Sequence, residues 1–381
     1  MVSLIRILIE QSGEAQIGSS CGRFPLRTFS FRGKGSPKLL QPSSHPLSCA
    51  ALKRFLIIRF SSIGDIVLTS PVIRCLRKRY PDAAIHYVTK KQYAPLVAFN
   101  PYLTRVHTLD GKLGPLVEEL RRENFDFIID LHGSLRSRIL RWRLRRPGAV
   151  FPKLNFRKWL LVTFKINLLP DRHIVDRYLS TLKSLHVQPD ELGLDYFLPA
   201  DKQDVRLLLP EPFRKGYLVL AAGAKHNTKQ ITQEQMVSLC RLIEVPVVIL
   251  GGKEDFTKAE EVRLQVEKSS VFNGCGLFSL NESASLVKNA RLVITPDTGI
   301  MHIASAFGRD ILSVWGNTTP AFGMYPYRPG KNSRIFEIKD LPCRPCSKLG
   351  HNTCPKKHFR CMLEQPVSEI AALANTLGSQ G

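Results

Sequence analysis

RFLIIRFSSIGDIVLTSPVIRCLRKRYP, residues 54–81, is the stretch from which the whole chain can be read. Its first seven residues are a short apolar, β-branched run, which predicts a strand over 54–60. The loop Ser61-Ser62-Ile63-Gly64-Asp65 follows, small and polar. From Ile66 the apolar residues Leu68, Val72, Ile73 and Leu76 recur at helical spacing as far as Tyr80, and Pro81 stops them. A strand, a glycine-bearing loop and a helix in that order open a parallel α/β sheet.

The alternation continues outward. Strands are expected over 84–88, 106–109 and 125–131, with a helix over 113–123. Residues 134–146 and 172–185 read as further helices. Between Leu198 and Gly216, Pro199, Pro210 and Pro212 interrupt the pattern among mixed charges. A second series then begins, with strands over 217–221, 245–250, 292–295 and 311–315. Its helices are expected over 232–243, 259–268, 280–289 and 299–307. The predicted fold class is α/β, with two facing doubly wound, Rossmann-like domains. They span residues 52–200 and 216–365, joined by a linker at 201–215 and followed by a C-terminal helix or tail at 366–381. Residues 1–51 are rich in Ser, Gly, Pro and Arg and lose apolar periodicity after Ile9, so they are expected to form a disordered extension. No apolar run reaches the roughly 18 residues that a membrane-spanning helix needs.

The 381 residues carry 55 Lys and Arg against 32 Asp and Glu, a formal charge of +23 that is unevenly spread. Residues 131–170 hold ten basic groups and no acid, and residues 328–360 hold nine basic groups against two acids. Residues 217–327 balance at ten of each, so the second half is neutral. That distribution excludes a uniformly basic chain. It calls for an anionic partner at a defined place: nucleic acid, a membrane surface or a phosphorylated substrate.

Four segments at strand ends carry candidate chemistry. In Arg59–Asp65 the helix start can hold an anion, and Asp65 is either a helix cap or a general base. In Ala222–Lys229, Gly223 permits close backbone approach, and Lys225 and Lys229 can neutralise phosphate. In Leu292–His302 a strand ends at Asp297, and Thr298 and Gly299 start a helix whose N–H groups can cradle a pyrophosphate. Asp297 can bind sugar hydroxyls, and His302 is either a site residue or a packed core histidine. After Gly251-Gly252-Lys253, one of Glu254 and Asp255 is placed to grip a ribose diol. No two Asp residues are separated by one position, so the D-x-D metal–nucleotide motif is missing.

Nine cysteines, an odd number with no convincing secretory signal, point to a reducing compartment. Cys21, Cys49, Cys75, Cys240 and Cys275 are isolated. Cys343, Cys346, Cys354 and Cys361 form C-x2-C-x7-C-x6-C. The four have the count for a closed zinc or iron–sulfur site, and the C-x2-C half is well spaced. The C-x6-C half is looser than a zinc knuckle, so free or structural thiols are the favoured reading beside a metal site, and no metal or cofactor is assigned.

On these segments, and above all RFSSIGDIVLTSPVIRCLRKRYP (59–81) and PDTGIMHIASAFG (296–308) with Trp315–Pro320, the chain resembles glycosyltransferase family 9, the ADP-heptose:lipopolysaccharide heptosyltransferases. DLHGSLRS (130–137) and the cysteine-bearing tail are similar too. The resemblance spans about residues 53–365 and implies the GT-B fold and a metal-independent, inverting transfer. It implies that Asp65 is catalytic and that Lys229 binds phosphate, although Ile231 stands where the family has Trp. It assigns Asp297, Thr298, Gly299 and His302 to the donor, with an acidic ribose ligand near Glu254–Asp255.

The resulting expectation is transfer from an ADP-sugar, ADP-L-glycero-D-manno-heptose, to the anionic inner core on lipid A. Gly64 and Gly223 join the donor site. Arg59, Ser61, Ser62 and Arg136 are assigned to the acceptor. The enzyme is expected in the cytoplasm, peripheral to the inner face of the membrane, and without nucleic acid. Two other readings stand beside it: a basic nucleic-acid-binding protein, supported by the Arg-rich 136–146 segment, and an inactive glycan-binding relative.

Overall fold

The computed structural model describes residues 53–379, and the extension expected over 1–51 lies outside them. Two parallel sheets organise the chain. The first takes β1 (Arg54–Ile58), then two short helices, α1 (Ile63–Val67) and α2 (Ser70–Arg79), then β2 (Ala84–Lys90) and β3 (Arg105–Leu109). It continues through α3 (Leu113–Arg122), β4 (Phe127–Asp130), α4 (Leu135–Leu144), β5 (Gly148–Val150), α5 (Asn155–Phe164) and α6 (Ile174–Leu179). After α7 (Glu211–Arg214) the second sheet is built from β6 (Leu218–Ala221), α8 (Gln233–Leu242), β7 (Val247–Leu250), α9 (Phe256–Val266) and β8 (Val271–Asn273). Next come α10 (Leu280–Asn289), β9 (Leu292–Pro296), α11 (Gly299–Ala306), β10 (Asp310–Trp315), β11 (Arg334–Glu337), α12 (Arg360–Leu363) and α13 (Val367–Gly378).

The strand orders are β3-β2-β1-β4-β5 and β11-β10-β9-β6-β7-β8, and every pairing is parallel. Helices cover both faces of such sheets, so their central strands are mostly apolar. Phe55 to Ile58 in β1 and Leu218 to Ala221 in β6 are fully buried accordingly. In each sheet the order reverses beside the first strand, between β1 and β4 and between β6 and β9. Crevices open at such switch points, beyond the carboxyl ends of the strands.

The continuous helix expected over 66–80 is two helices. Pro71 has no N–H to give the Val67 carbonyl, which instead accepts from the Ser70 hydroxyl at 2.8 Å. Thr69 Oγ1 takes the Ile66 carbonyl at 2.6 Å. The helix expected over 172–185 is α6 followed by a 3-10 turn, Ser180–Leu185. The segment expected as a linker, 201–215, packs Val205, Leu209 and Phe213 into a core shared with both sheets. No helix among the described residues is long and apolar enough to cross a membrane.

Candidate active site

The first switch point delivers Asp65. It stands in the first turn of α1, just past the end of β1, with about a fifth of its side chain open to solvent. Arg59, 7 % exposed, holds one carboxylate oxygen through Nη2 at 2.7 Å. The other oxygen, Oδ2, accepts from the Ser62 N–H at 3.2 Å and the Ser62 hydroxyl at 2.9 Å. Burial alone would raise the Asp65 pKa, but the Arg59 guanidinium and the two Ser62 donors outweigh it and hold the carboxyl below the usual range. Asp65 is therefore ionised at neutral pH, aimed, and partly open.

Arg59 is itself pinned. Its Nε donates to the Ser61 carbonyl at 2.8 Å, its Nη1 to the Leu131 carbonyl at 2.6 Å, and its guanidinium lies 5.8 Å from the Tyr178 ring centre. All three of its nitrogens are committed inside the protein. The structure places Arg59 as the residue that aims Asp65, with Ser62 beside it and Ser61 half-buried in the same loop.

The second switch point delivers an ion pair. Lys229 Nζ lies 2.6 Å from Asp297 Oδ2, both side chains mostly buried, and Thr318 donates its hydroxyl to the same oxygen at 3.0 Å. The N-cap of α11, Thr298, makes no side-chain capping bond, and its hydroxyl pairs with that of Thr295 at 3.1 Å. The first N–H groups of α11 are thus left for an anion, at the positive end of the helix.

The two switch points meet. A Cβ on Gly299 would lie 2.7 Å from Ile63 Cγ2, and one on Gly64 would lie 2.4 Å from His302 Cδ2, so only glycine lets the starts of α1 and α11 abut. His302 is 2 % exposed and feels the charges of Asp297, Asp65 and Lys229 together. Burial pushes its pKa down to about 4, so it is neutral at pH 7 and is no cation for phosphate. Its Nδ1 has no hydrogen-bond partner. A Gly64→Ala chain is expected to melt at a lower temperature, because the added Cβ would force the abutting starts of α1 and α11 apart, and a thermal melt checks this.

The two adjacent carboxylates are told apart. Asp255 is buried, accepts the Gly252 N–H at 2.8 Å, and occupies the space that a Cβ on Gly223 would need, 2.1 Å from Oδ2. Glu254 is exposed on the same turn. Asp255 therefore shapes the loop, and Glu254 is the carboxylate available to a ligand. Arg136 is exposed in the first turn of α4, whose start is set by Asp130 accepting from the His132 and Gly133 N–H groups and the Ser137 hydroxyl.

Residues 114–357 match glycosyltransferase family 9 (heptosyltransferase), more than half of the chain. The chain belongs to that family. This family 9 glycosyltransferase is 26 % identical over 345 residues to lipopolysaccharide heptosyltransferase 1 of Pseudomonas aeruginosa, covering 82 % of this chain and 93 % of the relative. It is similar in fold to the Escherichia coli ADP-heptose lipopolysaccharide heptosyltransferase II, with a TM-score of 0.67 at 19 % identity, covering 86 % of this chain and 99 % of the other. The Escherichia coli heptosyltransferase WaaC with ADP matches with a TM-score of 0.61 at 21 % identity over 85 % of this chain and 99 % of the other. The two facing Rossmann-like sheets are the GT-B fold.

The transferase also has residues near Asp65 that motif reading missed. Lys153 and Lys158 both feel its charge. Lys158 Nζ lies 5.7 Å from the Phe322 ring centre. Burial, then the Arg177 cation, push the Lys158 pKa down to about 8. In the sequence both lysines are lost among the other basic residues of 131–170. Thr318 lies in the Trp315–Pro320 stretch, but nothing local marks it as a partner of Asp297. A second polar cluster, His86, His107 and Glu123, lies within metal-binding reach. His86 Nδ1 and His107 Nε2 are already bonded to each other at 2.9 Å, and His107 Nδ1 to Glu119 at 2.6 Å, so the cluster is closed by its own hydrogen bonds.

Proposed function

We propose that the enzyme transfers a heptose from ADP-L-glycero-D-manno-heptose to the lipopolysaccharide inner core on lipid A, with inversion and without a metal at the reacting centre. The observation that carries this is the meeting of an ionised, aimed Asp65 with the Lys229–Asp297 pair and the uncapped start of α11. The acceptor hydroxyl gives its proton to Asp65 as its oxygen attacks the anomeric carbon. The bond from that carbon to the diphosphate breaks on the opposite face. Lys229 and the α11 N–H groups take up the charge that develops on the leaving ADP. Asp297 Oδ2 is held by Lys229 and Thr318, which leaves Oδ1 for a sugar hydroxyl, and Glu254 is assigned to the ribose. The names of the relatives support heptose, and the fold relative solved with ADP supports the adenine nucleotide.

The acceptor side is basic, with Lys153, Lys158 and Arg136 assigned to its phosphates and carboxylates. The nearby surface is also unusually apolar. Trp142 is 71 % and Phe156 62 % exposed, and Phe156, Trp159 and Phe164 form a ring cluster on α5. Aromatic side chains among Arg and Lys suit the interface of an anionic bilayer, which supports a place at the cytoplasmic face of the membrane.

A panel of sugar nucleotides with lipid A–core acceptors truncated at successive sugars, carried on anionic vesicles and read by mass spectrometry, tests the reading. One heptose added from the ADP-sugar, at a rate unchanged by brief EDTA treatment, is expected. No transfer from any ADP-sugar, with a nucleic-acid mobility shift instead, would sink it. Flotation with the same vesicles reads the membrane contact.

Lys158 adds a pH signature. A lysine loses its positive charge as pH rises through its pKa, here about 8. The acceptor KM is expected to rise between pH 7 and pH 9 while the ADP-sugar KM changes little. In Lys158→Gln the acceptor KM should be high and flat across that range; a profile as steep as in the native enzyme would remove Lys158 from acceptor binding.

A further inference from the structure

Residues 338–359 run between β11 and α12 without helix or strand. So long an irregular stretch in a compact fold needs something to hold it. Its apolar content is thin: Leu349 is exposed, and Leu341 and Pro345 are its buried aliphatic side chains. Cys343, Cys346 and Cys354 come from this segment and Cys361 from α12. All four line one cavity of about 10 Å³, room for a single small body rather than a multi-iron cluster. Cys75, Cys240 and Cys275, by contrast, are buried in the cores as ordinary packing.

A second observation points into the same cavity. Asn317 lines it and is 1 % exposed, yet neither its side-chain oxygen nor its nitrogen has a hydrogen-bond partner. Buried carboxamides are almost always satisfied. A thiolate ligand sphere supplies the acceptors such an amide lacks.

We propose that Cys343, Cys346, Cys354 and Cys361 bind one thiophilic divalent ion of the zinc or iron(II) class, and that this ion braces the donor loop from behind. Four sulfurs with a C-x2-C chelate select that class over magnesium or calcium. Ligation releases the thiol protons to solvent. No three of the sulfurs lie within 4.8 Å of one another, against about 3.8 Å in a tetrahedron of roughly 2.3 Å metal–sulfur bonds. Binding therefore contracts the segment. Cys343 Sγ lies 3.8 Å from His358 Nε2, which gives the segment one further donor beside the four sulfurs.

The bracing follows from two sets of hydrogen bonds, and this half of the proposal rests on reading Lys229 as the donor's phosphate ligand. Thr228, adjacent to Lys229, gives its N–H to the His351 carbonyl at 3.1 Å and accepts the His351 N–H on Oγ1 at 2.8 Å. Arg344, between two of the cysteines, donates to the Gly316 and Thr318 carbonyls at 2.7 Å each. Thr318 in turn holds Asp297. The cysteine segment thus supports both members of the Lys229–Asp297 pair.

The test is the zinc and iron content of the full chain, purified anaerobically with reductant and read by plasma mass spectrometry. About one ion per chain is expected, falling below roughly a tenth in Cys346→Ser and Cys354→Ser. A native chain that stays below roughly a tenth after incubation with Zn²⁺ and then Fe²⁺, or that holds two disulfides instead, overturns the proposal. The native count needs no variant, so a misfolded Cys→Ser chain does not bear on it. Calorimetry with ADP reads the brace: stripping the ion should weaken ADP about tenfold, and Zn²⁺ should restore it. Unchanged ADP affinity after stripping overturns the brace. A metal-loaded chain that never binds ADP would instead count against the donor reading and leave the ion count standing.

Discussion

Asp65→Asn is expected to lower the transfer rate by roughly 10²–10⁴-fold, the contribution of a positioned general base, while ADP still binds. Asparagine keeps the shape and can still accept a hydrogen bond from Arg59, but it cannot take a proton. Asp65→Ala should lose as much rate and also stability. It leaves the 7 % exposed Arg59 without its charge partner, and breaking a buried pair from one side costs about 3–5 kcal/mol. Single-turnover transfer, ADP calorimetry and a thermal melt on both variants separate the two effects. Near-normal turnover in Asp65→Asn would remove Asp65 from the base role.

Lys229→Ala is the second large effect, with a fall in rate of roughly 10²–10³-fold, the loss seen when one preorganised group facing the developing charge is removed. Here the substitution acts twice. It removes the cation that meets the diphosphate, and it strands Asp297, whose Oδ2 then keeps only the Thr318 hydroxyl. The double variant Lys229→Met with Asp297→Asn relieves the stranded charge, so it should recover the melting temperature of Lys229→Ala but not its rate. ADP affinity should fall in both variants. Unchanged ADP affinity together with unchanged turnover would mean that the diphosphate is met elsewhere.

The parts of this fold that could be read from local pattern are those whose side chains point to one environment along their whole length. β1 beyond Arg54, β6, and β9 apart from Thr295 are apolar because both faces of a parallel sheet are covered. The signal fails where an element is short or its partners are distant. β5, β8 and β11, of three or four residues, have no periodicity to show, and α5 hides its turn pattern among basic residues. The break between α1 and α2 was not read from the periodicity: Pro71 leaves the Val67 carbonyl without its N–H, and the Ser70 hydroxyl that takes its place decides how the chain passes.

The site divides in the same way. Asp65, Lys229, Asp297, Thr298 and Gly299 were marked by their own neighbours, because a strand end followed by small residues and a helix start is a local arrangement that an anion-binding site requires. Roles that depend on a partner far along the chain were not. Arg59 looks like a ligand for an anionic acceptor until Leu131, Ser61 and Asp65 consume its nitrogens. Glu254 and Asp255 are equivalent as text, and the Gly252 N–H and the space beside Gly223 separate them. His302 is aligned with Gly64 across more than 200 positions, and Lys158 owes its lowered pKa to burial against remote residues. Local pattern was enough for the fold class and for most of the charged groups at the strand ends, and the family came from the resemblance that the 59–81 and 296–308 segments carry. Which of those groups stay free to act was settled by packing, since a hydrogen bond or ion pair spends a side chain, and such bonds form between residues that the fold, not the order of the chain, makes neighbours.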